Sequence, residues 1–134
     1  MYDKEARMPD GIPVIRTIAM PADTNPNGDI FGGWLMSQMD LAAGNVAARR
    51  SRGRAATVAV EAMSFLSPVA VGDEVSLFAR VVKMGRTSMR IEVEAWRRAR
   101  ASEQTTKVTE AVFTFVAIDE DGRPRPIPAD ASPG

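Results

Sequence analysis

The sequence predicts an α+β domain in which a curved, mostly antiparallel sheet wraps around one long helix. Three observations lead there. From Gly33 to Ala48 every residue except Asp40 is uncharged, which reads as a single helix, apolar or small on almost all sides and therefore buried. Four later segments carry alternating or β-branched and aromatic residues, with no second helical pattern among them. The links between those segments are short, which favours antiparallel neighbours.

Taken in order, residues before about Gly11 are polar and expected to be loose, so 1–12 reads as a flexible segment, 13–121 as a single domain and 122–134 as a proline-rich tail. Val14 to Met20 reads as a first short strand, stopped by Pro21 and by the turn-rich run from Asp23 to Gly28. The helix follows, from about Gly33 to Arg50. Ala55 to Phe65 contains Thr57, Val58 and Val60, and Glu74 to Lys83 alternates Val75, Leu77, Ala79 and Val81 with Ser76, Phe78, Arg80 and Val82. Thr87 to Arg98 alternates Met89, Ile91, Val93 and Ala95 with Arg90, Glu92, Glu94 and Trp96, and Lys107 to Ile118 is rich in valine and phenylalanine. One such layer pair leaves sheet edges and a helix flank uncovered, and a dimer is the natural remedy.

Two absences constrain the chemistry. The chain has no cysteine and no histidine, which excludes disulfides, cysteine nucleophiles, serine-histidine-acid triads and the common zinc sites within it. Catalysis must rest on carboxylates, hydroxyls, amides, lysine, arginine or backbone dipoles, and no metal or cofactor is expected. Seventeen basic residues balance seventeen acidic ones, so bulk nucleic-acid binding is not expected. The basic runs at Arg49, Arg50, Arg52 and Arg54 and at Arg97, Arg98 and Arg100 read first as solvated surface and second as contacts for a small polyanion. No stretch approaches membrane-spanning length and the N-terminus does not look like a secretory signal, so the expected location is the cytoplasm.

Asp40 needs a reason, because a lone ionised carboxylate in a buried helix costs several kcal/mol. Helical spacing puts it on a stripe with Gly33, Met36, Ser37, Ala43, Gly44 and Ala47, opposite a core stripe of Leu35, Met39, Ala42 and Val46. Small residues on such a stripe suit packing against another backbone or a ligand. Gly32 and Gly33 open the helix, where unpaired amides and the positive dipole end favour an anion or a developing oxyanion. Asp40 lies roughly 10 Å along the axis from these amides. One helix can hardly aim both at the same carbonyl, so a real site would join the acid of one subunit to the amides of another.

The run from Met20 to Asp40, with Asn27-Gly-Asp-Ile-Phe-Gly-Gly-Trp-Leu-Met-Ser-Gln-Met-Asp40 at its centre, resembles the hotdog-fold acyl-CoA thioesterases, and most nearly their bacterial YciA-like group. Val58 to Phe65, Pro68 to Asp73, Gly85-Arg86-Thr87-Ser88 and Thr109 to Phe113 agree with it. The resemblance implies a sheet wrapped around a central helix, dimers that join their sheets, and usually hexamers built as trimers of dimers. It also implies hydrolysis of acyl-CoA to free CoA and a carboxylic acid, with Asp40 acting as general base or as nucleophile. Gly32 and Gly33 would polarise the carbonyl, and Asn27 or Asp29 of the opposite subunit would orient water or substrate. By the same resemblance Gly85, Arg86, Thr87 and Ser88 form the CoA-contacting turn, and Phe31, Thr57 and Phe65 are substrate contacts. CoA then enters as substrate and product, not as a cofactor. Pocket depth would depend on how Met36, Met63, Phe65 and neighbouring subunits pack. Two other functions fit less well: an acyl-CoA sensor, which normally carries a DNA-binding module, and a hydroxyacyl-thioester dehydratase, which normally uses a histidine.

Overall fold

A computed structural model of the chain describes residues 7–129; the expectations for residues 1–6 of the flexible N-terminal segment and for 130–134 of the proline-rich tail lie outside them. The elements are β1 (Ile15–Ile18), a short 3-10 turn (Pro21–Asp23), α1 (Gly32–Ser51), β2 (Ala55–Phe65), β3 (Glu74–Met84), β4 (Ser88–Arg98) and β5 (Thr105–Ala117). The strands form one sheet in the order β1-β3-β4-β5-β2, antiparallel at every pairing. Short β3–β4 and β4–β5 links make hairpins, whereas β2 crosses to the far edge beside β5.

One sheet face packs on α1. Met89, Ile91, Val93 and Ala95 of β4 and Phe113 and Phe115 of β5 are buried beneath Leu35, Met39, Ala42, Ala43 and Ala47 of the helix. Period-2 alternation in the strands therefore meets 3.6-residue periodicity in α1, which joins the two layers into one core. Gly44 faces the Phe115 ring, where an added Cβ would lie 3.6 Å away in ordinary contact. The opposite sheet face carries cross-strand ion pairs, including Arg80–Glu92 at 3.0 Å and Lys107 between Glu94 at 3.4 Å and Glu110 at 2.5 Å. Burial works to lower the Lys107 pKa, but the hydrogen bond to Glu110 and the charges of Glu94 and Glu110 prevail and raise it above 10.5.

The helix is not enclosed on all sides within one protomer. Ala43 and Ala47, expected on the small-residue flank, are fully buried, because the curved sheet contacts a wider arc of α1 than a narrow stripe. The remaining flank is open, with Leu41 60% and Met36 39% exposed. The β2 edge is open as well, with Val58 59% and Phe65 54% exposed. These two uncovered apolar strips flank Asp40, which is half-buried rather than enclosed.

β2 departs from regular pairing twice, between Thr57 and Ala59 and between Glu61 and Ser64. Bulges of this kind bend an edge strand and re-aim its side chains. The second contains Ala62 at φ 53°, a left-handed conformation that a non-glycine residue rarely adopts. Beyond β5 the segment up to Ala129 holds no strand, yet it is fastened to the body. Arg125 N–H donates to the Ala117 carbonyl and Ile127 N–H to the Arg86 carbonyl, both at 2.9 Å.

Candidate active site

The site begins at a tight loop. Asn25 Oδ1 accepts hydrogen bonds from the amides of Asn27 at 2.9 Å and Asp29 at 3.1 Å, and Asn25 N–H donates to the Asp29 carbonyl at 2.7 Å. An Asx turn of this kind replaces backbone pairing where the chain must reverse. Gly28, at φ 84°, supplies the left-handed residue the reversal needs. Asn27 and Asp29 are exposed, and it is their backbone amides that the loop's hydrogen bonds use. Asn25, which organises the loop, is the residue that reasoning from the sequence passed over.

The loop delivers the chain to the N-terminus of α1. Phe31 is the N-cap and supplies no side-chain hydrogen bond; Trp34 N–H donates to the Phe31 carbonyl at 3.1 Å, while the amides of Gly32 and Gly33 receive no side-chain cap from it. Two aromatic rings close around the glycine pair. A Cβ on Gly32 would lie 3.1 Å from Phe65 Cζ, and one on Gly33 would lie 3.1 Å from the Phe31 ring. Beside them Ile30, Gly32, Leu35, Phe65, Leu66 and Val69 line an apolar cavity of about 350 Å³. A side chain at either glycine would have to move one of these partly exposed rings by a few tenths of an ångström.

Asp40 stands two turns further along α1. Thr57 Oγ1 donates a hydrogen bond of 2.5 Å to Asp40 Oδ1. Thr57 pairs with Phe115, whose ring is in the core, so it lies on the helix-facing side of β2, immediately before the first bulge. One carboxylate oxygen is thereby fixed, while the open helix flank leaves the group accessible. Among the described residues no basic side chain forms an ion pair with Asp40.

The third group is the turn between β3 and β4. Gly85 N–H donates to the Ser88 carbonyl at 2.8 Å, and the Thr87 carbonyl accepts from Ala117 N–H at 2.8 Å. Arg86 is exposed at its tip. Sheet register places this turn at the Thr57 end of the sheet, since Thr57 pairs with Phe115 and Phe115 with Met89, the neighbour of Ser88. The predicted residues therefore fall into three groups: Phe31, Gly32, Gly33 and Phe65 at one end, Asp40 with Thr57 in the middle, and Gly85 to Ser88 beyond. Within one protomer the glycine amides and Asp40 are separated by roughly 10 Å.

The fold that carries these groups is that of the hotdog thioesterases, and the chain belongs to the thioesterase superfamily, whose sequence pattern matches residues 27–103. It is 58% identical to the acyl-CoA thioester hydrolase YciA of Salmonella typhimurium over 123 residues, covering 90% of this chain and 92% of the relative. Among solved structures it is similar to a hexameric broad-specificity acyl-coenzyme A thioesterase, at 50% identity with a TM-score of 0.87, over 97% of this chain and 90% of the other. A hexameric thioesterase from Yersinia pestis is 52% identical with a TM-score of 0.86, over 91% of this chain and 99% of that one.

Proposed function

We propose that the protein hydrolyses acyl-CoA thioesters with Asp40 as its acid-base or nucleophilic group and the amides of Gly32 and Gly33 of a second subunit as the oxyanion hole. One observation carries this reading. The lone carboxylate of α1 is held by Thr57 on an uncovered flank, roughly 10 Å from amides that its own helix cannot bring nearer. Pairing two such flanks head to tail sets each carboxylate against the other helix's N-terminus.

The chemistry suits a chain without histidine. The Asp40 carboxylate takes a proton from water as the oxygen adds to the thioester carbon, and the negative charge moves onto the carbonyl oxygen, where the amides donate to it. Collapse breaks the C–S bond and releases the CoA thiolate. A thiol with a pKa near ~8.5 leaves without strong acid assistance, so a histidine is dispensable. In the other route Asp40 itself attacks and expels the CoA thiolate, giving a mixed anhydride that water then opens at the Asp40 carbonyl, releasing the acid. A single turnover in ¹⁸O-labelled water separates the routes, since label enters the product directly in the first and Asp40 in the second.

The apolar cavity beside Gly32 suits the start of the acyl chain. The exposed β2 edge and the α1 flank support a dimer that joins its sheets, and hexameric neighbours support a trimer of such dimers. Among the described residues no helix is long and apolar enough to cross a membrane; the reading places the enzyme with CoA thioesters in the cytoplasm and in fatty-acid metabolism. Release of free thiol from a panel of acyl-CoAs tests the function. Turnover that disappears in Asp40→Ala supports it, and tight binding without turnover in the unaltered protein would make it a sensor instead.

A further inference from the structure

The C-terminal end of α1, the β3–β4 turn and the segment after β5 meet around a cavity of about 300 Å³, lined by Arg50, Met84, Arg86, Ile127 and Pro128 among others. Its walls are fixed. Arg125 ties the last segment down, donating from Nη1 to the Ser51 carbonyl at 2.8 Å, from Nη2 to Ser51 Oγ at 3.1 Å and from Nε to the Ile118 carbonyl at 2.9 Å. Ile127 N–H then reaches the Arg86 carbonyl at 2.9 Å, so the tail forms one side of the cavity and the turn another.

Arg50 is the unexplained member. Its Nε is buried and has no hydrogen-bond partner, as is also true of Arg90 Nε and Arg97 Nε, but those two guanidinium groups are ion-paired through other nitrogens, whereas neither Arg50 nor Arg86 forms an ion pair among the described residues. Elsewhere Arg16, Arg80, Arg90, Arg97 and Arg98 all have carboxylate partners. A buried guanidinium N–H without an acceptor is costly, and an anion between two guanidinium groups supplies the acceptor. Met84, Ile127 and Pro128 add an apolar wall that suits the flat face of a base. Two cations with an apolar wall fit a nucleotide phosphate.

We propose that Arg50 is a phosphate-binding residue of the CoA site, acting with Arg86 and under the cover of residues 127–129, and that it serves Asp40 of the same protomer. This rests on the thioesterase reading. The distances agree with a single-chain grip: Arg50 lies ten residues after Asp40, about 15 Å along the helix axis, and an extended pantetheine arm, comparable to four peptide units, spans roughly 14 Å. Phosphates held between Arg50 and Arg86 therefore put the thioester at Asp40, while the oxyanion amides come from the partner.

Arg50→Ala is expected to raise KM for acyl-CoA about tenfold with kcat little changed, to leave hydrolysis of the matching acyl-pantetheine thioester unchanged, and to be partly rescued by Arg50→Lys. An unchanged KM for acyl-CoA, or an equal rise on both substrates, overturns the assignment. Thiol release by the unaltered enzyme and its loss in Asp40→Ala test the underlying reading separately, so either idea can fail without the other. Co-expressed, separately tagged chains test the same-protomer claim. With Arg50→Ala and Asp40→Ala on one chain and none on its partner, the surviving sites keep the normal KM. With the two changes on different chains, every surviving site shows the raised KM. The reverse pattern would place Arg50 across the interface.

Discussion

The two ends of α1 are finished in opposite ways. At the C-terminus Arg52 turns left-handed at φ 57° and its amide donates to the Ala48 carbonyl, Gly53 N–H reaches the same carbonyl, and Arg125 binds both the carbonyl and the hydroxyl of fully buried Ser51. At the N-terminus no side chain caps the helix, and two glycines lie beneath two aromatic rings. Both ends of any helix carry unpaired backbone groups. The chain has closed the end that anchors the tail and left open the end whose amides can receive a ligand. Asp40 lies between them, fastened by Thr57 to the sheet.

Substitutions along the helix should separate these roles. The largest effect is expected at the middle: Asp40→Asn should lower kcat by about 10²- to 10⁴-fold while thermal unfolding stays close to that of the unaltered protein. A variant that unfolds would make Asp40 a structural residue. The closed end should respond in stability. Arg125→Ala removes donors from the Ser51 and Ile118 carbonyls and should cost about 2–4 kcal/mol in urea unfolding, whereas a cost within about 0.5 kcal/mol would mean that water replaces the guanidinium.

Thr57→Val keeps the shape and removes the hydrogen bond to Asp40, so kcat should fall about tenfold, the scale of one hydrogen bond to a charged group. Stability should barely move. The smallest effect lies on the outer sheet face, away from both helix ends. Because folding raises the Lys107 pKa above 10.5, the stability this lysine contributes is fully present below about pH 10.5 and is lost as pH rises through the folded value. Lys107→Met should flatten that alkaline decline in urea unfolding and leave kcat unchanged.

Much of this contrast was legible in the sequence, and the part that was not has a physical cause. Strands at Glu74–Met84 and Ser88–Arg98 match the alternation of apolar residues within a residue or so, and Ala55–Phe65 matches its β-branched residues, because both signals are local. The glycine pair and the single acid also stand out locally. Arg125 does not, since its partner Ser51 is 74 residues away and an arginine among prolines looks like any solvated tail residue. The bond from Thr57 to Asp40 joins two elements, and it depends on the pairing of Thr57 with Phe115, which turns Thr57 toward α1 and which no local pattern announces. The breadth of the helix's core face, which buries Ala43 and Ala47, depends on how far the sheet curves, and that is a property of the assembled layers.

Subunit complementation tests most directly the claim that the open end of one helix serves the middle of another. Asp40→Ala chains lack the carboxylate and Gly33→Val chains have the first-turn amides obstructed by a side chain against the Phe31 ring, so each assembly alone should be inactive. After dissociation and reassembly of an equal mixture, mixed dimers contain one site built from the intact Asp40 of one chain and the intact amides of the other. Thiol release from acyl-CoA should return to roughly a quarter of the unaltered activity. No recovery, with mixed dimers demonstrated by differently tagged chains, would contradict the shared site and place carboxylate and amides in the same subunit.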